Sequence, residues 1–148
     1  MRLEPANLRV ITQLGDVYVA AHRFDRAITT FSRAVQLAPD KPEHHVSLGN
    51  ACRSAGRFDE AIAAFAAAVR LNPGDIQAML GLAQSLRAKG DLNRAVEVLQ
   101  QAITSIGASA QLYFALGEVY AAMGQSERAT EAYRMYAELR DAGVPAQR

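Results

Sequence analysis

The side chains with the most evident chemical capacity are His44-His45, Cys52, the adjacent acids Asp59-Glu60, the amides Asn50 and Gln84, and the arginines Arg53 and Arg87. Two neighbouring imidazoles suggest a metal. Consecutive residues on a helix point about 100° apart, however, and no further His, Cys or carboxylate falls at ligand spacing on the same face. A nucleophilic thiol needs an open, electropositive setting. For Cys52 a small buried residue is the simpler expectation, and a single cysteine forms neither an internal disulfide nor a zinc site. Asp59-Glu60 read as helix-start acids facing the positive end of the dipole. No nucleophile elbow, phosphate loop or dinucleotide glycine pattern occurs. The chain is expected to be non-catalytic, with no cofactor and no metal. What remains is recognition chemistry. Amides donate and accept at once, and guanidinium groups suit carboxylate or phosphate oxygens.

Composition narrows the partner. The 148 residues are 50% apolar and 21% charged, which is ordinary for a folded domain and too apolar for disorder. Lys and Arg total 16 against 15 Asp and Glu, giving a net charge of +1. Basic residues are spread along the chain, so nucleic acid is not an expected partner. The longest small apolar run, Ala61 to Val69, falls far short of the roughly 20 residues a membrane span needs. No charged leader followed by an apolar stretch is seen, and a cytoplasmic location is the expectation.

The elements that must carry these residues are announced by self-similarity. Leu14, Leu48, Leu82 and Leu116 recur every 34 residues. So do Gly15, Gly49, Ala83 and Gly117, then Ala27, Ala61, Ala95 and Ala129, then the large residues Phe31, Phe65, Leu99 and Tyr133. The repeats run 8–41, 42–75, 76–109 and 110–143, with 1–7 before and 144–148 after. Each reads as two helices, since apolar residues follow helical spacing and β-branched alternation is missing. Gly56, Gly90 and Gly124 share a turn column that favours a left-handed conformation, and His22 fills it in the first repeat. Asn7, Asp75 and Ser109 are expected N-caps, and Pro42 opens a helix. The small columns are expected to face each other across each hairpin, with the large residue filling the space beside them.

Ile11, Leu14-Gly15, Tyr18, Ala27, Phe31, Ala34 and Pro39 form a set that resembles the tetratricopeptide repeat family, and the second repeat follows with His45, Leu48-Gly49, Cys52, Ala61, Phe65, Ala68 and Pro73. The third is looser. The fourth departs at Tyr136, where a small residue is usual, and at Asp141, where proline is usual. Leu3-Glu4-Pro5 is in register with Leu37-Ala38-Pro39, as the tail of a preceding repeat would be. The resemblance covers about residues 3–143. It implies an all-α, right-handed superhelical solenoid of four helix-turn-helix hairpins whose first helices line a concave groove.

The family's inward positions fall here on Arg9, Thr12, Asp16, Val46, Asn50, Arg53, Leu80, Gln84, Arg87, Phe114 and Glu118, among others. Val46, Leu80 and Phe114 form an apolar row of increasing size. With the amides and arginines they imply capture of an extended or partly helical peptide with apolar anchors and an acidic feature. A clamp for chaperone tails, as some members carry, is not expected, since only Asn50 matches its positions. Tyr133, Tyr136 and Leu139 are expected to be partly unshielded, offering self-association through the array ends. The function expected is thus a protein- or peptide-binding scaffold. The alternatives are a self-assembling module, possible as a homo-oligomer, and an accessory part of a larger transferase-type enzyme.

Overall fold

The structure, a computed structural model, describes residues 5–143. Among them are eight α-helices and no strand. They pair in sequence as α1 (Pro5–Ala20) with α2 (Phe24–Leu37), α3 (Pro42–Ser54) with α4 (Phe58–Leu71), α5 (Ile76–Lys89) with α6 (Leu92–Ile106), and α7 (Ala110–Ala122) with α8 (Ser126–Ala142). The expected tail residues Leu3 and Glu4, and the segment 144–148, lie outside the described residues. The chain divides into two compact units, Met1–Gly81 and Leu82–Arg148, so the boundary falls within α5. In the first unit α1 packs on α2, α2 on α3, and α3 on α4; in the second, α6 packs on α7 and α7 on α8.

The turns inside the hairpins share one backbone solution. Gly56, Gly90 and Gly124 adopt φ of 74°, 92° and 72°, and His22 adopts 55°. The next residue then donates its N–H back across the turn. Arg23 reaches the Tyr18 carbonyl (2.8 Å), Arg57 that of Cys52 (2.8 Å), Asp91 that of Leu86 (2.9 Å) and Gln125 that of Tyr120 (2.9 Å). This satisfies carbonyls that a helix end leaves open. His22 does so with a side chain in the left-handed region, which costs about 1–2 kcal/mol. Its ring is edge-on to Phe24 at 5.7 Å.

The N-caps only partly follow expectation. Asp75 Oδ1 accepts from the N–H groups of Gln77 (2.9 Å) and Ala78 (3.2 Å), as a capping carboxylate should. Ser109 precedes α7 in an extended conformation but makes no side-chain cap bond. Asn7 lies inside α1, because Pro5, preset for a first helical turn, begins that helix earlier.

The core is built from the repeat columns. Ala27, Ala61, Ala95 and Ala129 are buried, as are Phe31, Phe65 and Leu99. The small residues do not simply face one another, as expected, with the large one alongside. The ring itself sits against the glycine: a Cβ on Gly15 would lie 2.5 Å from a ring carbon of Phe31, one on Gly49 2.9 Å from Phe65, and one on Gly117 2.7 Å from Tyr133. Gly81, outside that column, meets the same Phe65 ring still more closely. Phe65 is therefore enclosed by glycines of α3 and α5, and this double approach has no counterpart in the repeat pattern.

Cys52 is buried on α3, and its thiol pKa is raised, chiefly by burial and further by the charge of Glu60, against the opposing effect of Arg57. It stays protonated near neutrality and is no nucleophile. The raised value favours the neutral folded form. Its contribution to stability is present below the ordinary thiol value of 9.0 and is lost as pH rises through the folded value.

Three outcomes follow for stability. Gly81→Ala should lower stability by about 1–3 kcal/mol by overpacking the Phe65 ring, read as a fall of about 2–4 °C in Tm per kcal/mol. His22→Gly should leave Tm unchanged or raise it, by relief of up to about 1 kcal/mol of strain; a large fall would refute that strain. In urea titrations from pH 8 to 11, Cys52→Ala should flatten the alkaline loss of stability relative to the parent chain.

Candidate functional site

In the first unit, Arg9 and Asp16 are exposed on α1, and the Thr12 hydroxyl donates to the Arg9 carbonyl at 2.9 Å. That bond turns Thr12 back on its own helix. On α3, Val46 is half-buried and Asn50 is exposed, with Asn50 Oδ1 accepting from Arg53 Nη2 at 3.4 Å. Asn50 and Arg53 are thus already oriented toward each other. Leu80 on α5 is only 8% exposed. It belongs to packing, so the expected apolar row is interrupted there.

The second unit holds the more open constellation. Phe114 on α7 is 43% exposed. Its ring lies 5.2 Å from that of Tyr136 and 5.9 Å from that of Tyr133, both tilted by nearly 60°. Such offset contacts are favourable for aromatic rings. The Arg140 guanidinium lies over the Tyr136 ring at 5.6 Å, a cation–π contact. One turn from Phe114, Glu118 accepts from Arg87 at 3.3 Å, with both side chains partly exposed. Leu139 is half-buried on α8, and Gln84 is half-buried on α5.

Sequence reasoning puts Phe114 on an inner wall and Tyr133 and Tyr136 at an open end. The structure makes them one aromatic patch. Fixed columns give no sign of this, because Tyr136 replaces the alanines Ala34, Ala68 and Ala102, and only a side chain of that length reaches Phe114. The Arg87–Glu118 pair is legible in the sequence only as one of several partnerships open to Arg87.

A concavity of about 420 Å³ lies on α6, α7 and α8 over Leu116 and Met135. Gln100, Tyr120, Arg128 and Glu131 of its lining are already engaged. Gln100 Nε2 donates to the Tyr120 hydroxyl (3.1 Å), Arg128 to Gln125 (3.1 Å) and Arg134 to Glu131 (2.6 Å). It offers less for recognition than the aromatic patch.

Of the two adjacent histidines, the one in the repeat's large column is not the buried one. His44 is the buried one, whereas His45 is half-buried and donates Nε2–H to the Pro39 carbonyl at 2.9 Å. That carbonyl can only accept, so the bond sets the tautomer. Among the described residues no group of three or more His, Cys, Asp or Glu side chains is placed to hold a metal, and no helix is long and apolar enough to cross a membrane.

Against known proteins, the tetratricopeptide repeat model matches residues 12–76 and 80–144, and a second model of that repeat matches 53–105. No curated protein matches the sequence. Among solved structures, a MamA crystal structure is similar at a TM-score of 0.82 and 22% identity, over 94% of this chain and 81% of that one. MamA of Desulfovibrio magneticus RS-1, from residue 41 to its end, is similar at 0.82 and 19%, over 93% and 78%. The thermophilic TPR protein TTC0263 of Thermus thermophilus is similar at 0.74 and 26%, over 90% and 75%. The MamA likenesses are of fold. The 34-residue columns, the paired helices and the matches over most of the length agree, and the chain belongs to the tetratricopeptide repeat family.

Proposed function

We propose that the chain is a protein-interaction scaffold that captures an extended or partly helical peptide at the positions of its first helices expected to face inward, with Phe114 as the main apolar contact. The observation that carries this reading is the exposure of Phe114 on a bed of two tyrosines. A large exposed aromatic ring held by other rings loses little freedom on binding. It has the make-up of an interface anchor, around which binding energy concentrates.

The charged pair beside it sets the polar requirement. Arg87 and Glu118 are partly exposed, and a pair of this kind contributes about 0–1 kcal/mol. An incoming carboxylate can therefore take Arg87 at small cost. The released Glu118 then faces a backbone N–H or a basic side chain of the same peptide. The preferred ligand carries an aliphatic or aromatic anchor with an acidic residue close to it in sequence. In the first unit, Asn50 and Arg53 supply a similar amide-and-guanidinium pair for peptide backbone and acid. The role of the chain in this reading is binding, not turnover.

A display library of random peptides selected on the immobilised chain should enrich sequences with that anchor and acid. Phe114→Ala should weaken the selected peptides by about 10- to 100-fold. Arg87→Ala should cost less and relax the acidic preference. Equal affinity for parent and an Arg53/Arg87/Phe114 triple alanine variant of native helicity, measured by calorimetry, defeats the reading.

A further inference from the structure

We infer that the concavity over Leu116 and Met135 is a binding site for a small monocarboxylic acid with an apolar body about 10 Å long, its carboxylate held at the Tyr120–Arg128 end. Its volume of about 420 Å³ falls within the range of about 300–1,000 Å³ typical of small-ligand sites. Three consecutive helices wall it. The floor is α7, through Tyr113, Leu116 and Tyr120; α6 contributes Gln100, and α8 contributes Arg128, Ala132 and Met135. For a peptide these walls offer less than the aromatic patch. For a small acid they combine a buried hydroxyl with a cation that has no counter-ion.

The hydroxyl is that of Tyr120. The residue is 7% exposed, and its oxygen accepts from Gln100 Nε2 at 3.1 Å. A phenol that accepts one bond still has its own hydrogen to donate, and among the described residues no group takes it. A buried donor left unused is unfavourable, and an acceptor seated in the concavity removes that penalty. Packing does not ask for the hydroxyl, because the same repeat position holds Cys52 in the second repeat and Leu86 in the third. The cation is that of Arg128. Among the described arginines of the second unit, Arg87, Arg94, Arg134 and Arg140 each pair with a carboxylate. Arg128 instead donates to the neutral amide of Gln125 at 3.1 Å and lies over the Tyr120 ring at 5.7 Å. Glu131, the carboxylate in the lining, is held by Arg134 at 2.6 Å. A guanidinium laid against the ring whose hydrogen is unused presents two kinds of donor to one incoming group, and an anionic oxygen takes both more strongly than a neutral one.

Spacing sets the rest of the ligand. Tyr113 and Tyr120 are seven residues apart on α7, about 10 Å along its axis, with Leu116 between them. A body of that length covers Leu116 and Ala132 and meets Met135, whose flexible chain adapts to a flat ring or an alkyl chain alike.

Octanoate is the probe, with 1-octanol and octylammonium as its uncharged and cationic counterparts. The whole chain, labelled at its methionine methyl groups, is titrated and followed by NMR, with the Met135 signal assigned through Met135→Leu. Octanoate should move that signal saturably, with half-saturation below about 1 mM. The alcohol should bind about 10-fold more weakly, and octylammonium should not bind. Arg128→Gln should weaken octanoate by about 10- to 100-fold, and Tyr120→Phe, which keeps the ring, by about 10-fold. Arg128 is exposed, so its substitution decides the matter if Tyr120→Phe loses helicity. A Met135 signal that does not saturate overturns the inference. So does one that the alcohol moves at the same concentration, or an Arg128→Gln variant that binds octanoate like the parent. Phe114→Ala should bind octanoate unchanged, which separates this outcome from the fate of the peptide reading.

Discussion

An aromatic ring pressed against a helical glycine organises each hairpin that has one. Phe31 on Gly15, Phe65 on Gly49 and Tyr133 on Gly117 are close enough that a single added methyl would collide. The ring brings buried area, roughly 1.5–3 kcal/mol for a fully buried phenylalanine, while the glycine lets the helix backbone come near enough to use it. The two choices travel together. Where the large column holds Leu99 instead of a ring, the small column holds Ala83 instead of glycine. A branched aliphatic chain is shorter than a ring and leaves room for one methyl. Helix spacing within a hairpin is thus set by a pair of residues sixteen apart in sequence. Helix propensity alone would disfavour those glycines by about 1 kcal/mol each.

The polar groups show the same economy. Each hairpin turn is closed by its own backbone through one left-handed residue and one long-reaching N–H. Several ion pairs are three or four residues apart in sequence, such as Arg94 with Asp91 and Arg134 with Glu131. Such pairs add a few tenths of a kcal/mol. Turn closure therefore draws on backbone groups, not on the first-helix side chains expected to face inward. The positions expected to face inward vary from repeat to repeat (Thr12, Val46, Leu80, Phe114), and Leu80 is taken up by packing, while the packing columns hardly change.

That division also explains what could be read in advance. Packing columns were legible because size is imposed at each repeat by the same neighbour, so Gly, Ala and Phe recur in register. The turn column was legible even at His22, because the geometry that glycine makes easy is still imposed there. Gly81 was not, since its partner Phe65 lies in another hairpin and nothing in the column pattern pairs them. Asn7 failed as a cap because a proline two residues earlier starts the helix first. His45 is only half-buried for want of a visible acceptor in the sequence: the Pro39 carbonyl that holds it is a backbone atom, and composition says nothing of it. Candidate site positions came from the family resemblance, which locates a face but not its cover. Hence Leu80 turned out buried and Phe114 open on equivalent positions.

The aromatic patch arises where the repeat pattern is broken. A small residue at Tyr136, as at Ala34, Ala68 and Ala102, would leave Phe114 without the nearer of its two ring neighbours. The substitution does two things at once. It makes the outer face of α8 unlike that of α2 or α4, and it turns an exposed phenylalanine into part of a wall that also includes Arg140 over the Tyr136 ring. A ring so supported stays put instead of folding back onto its helix, and holding it in place before a partner arrives lowers the cost of binding. The deviation from the family's small residue leaves the fold intact, because the ring–glycine contact of Tyr133 with Gly117 still closes that hairpin; in the proposed reading it converts a packing position to a recognition position.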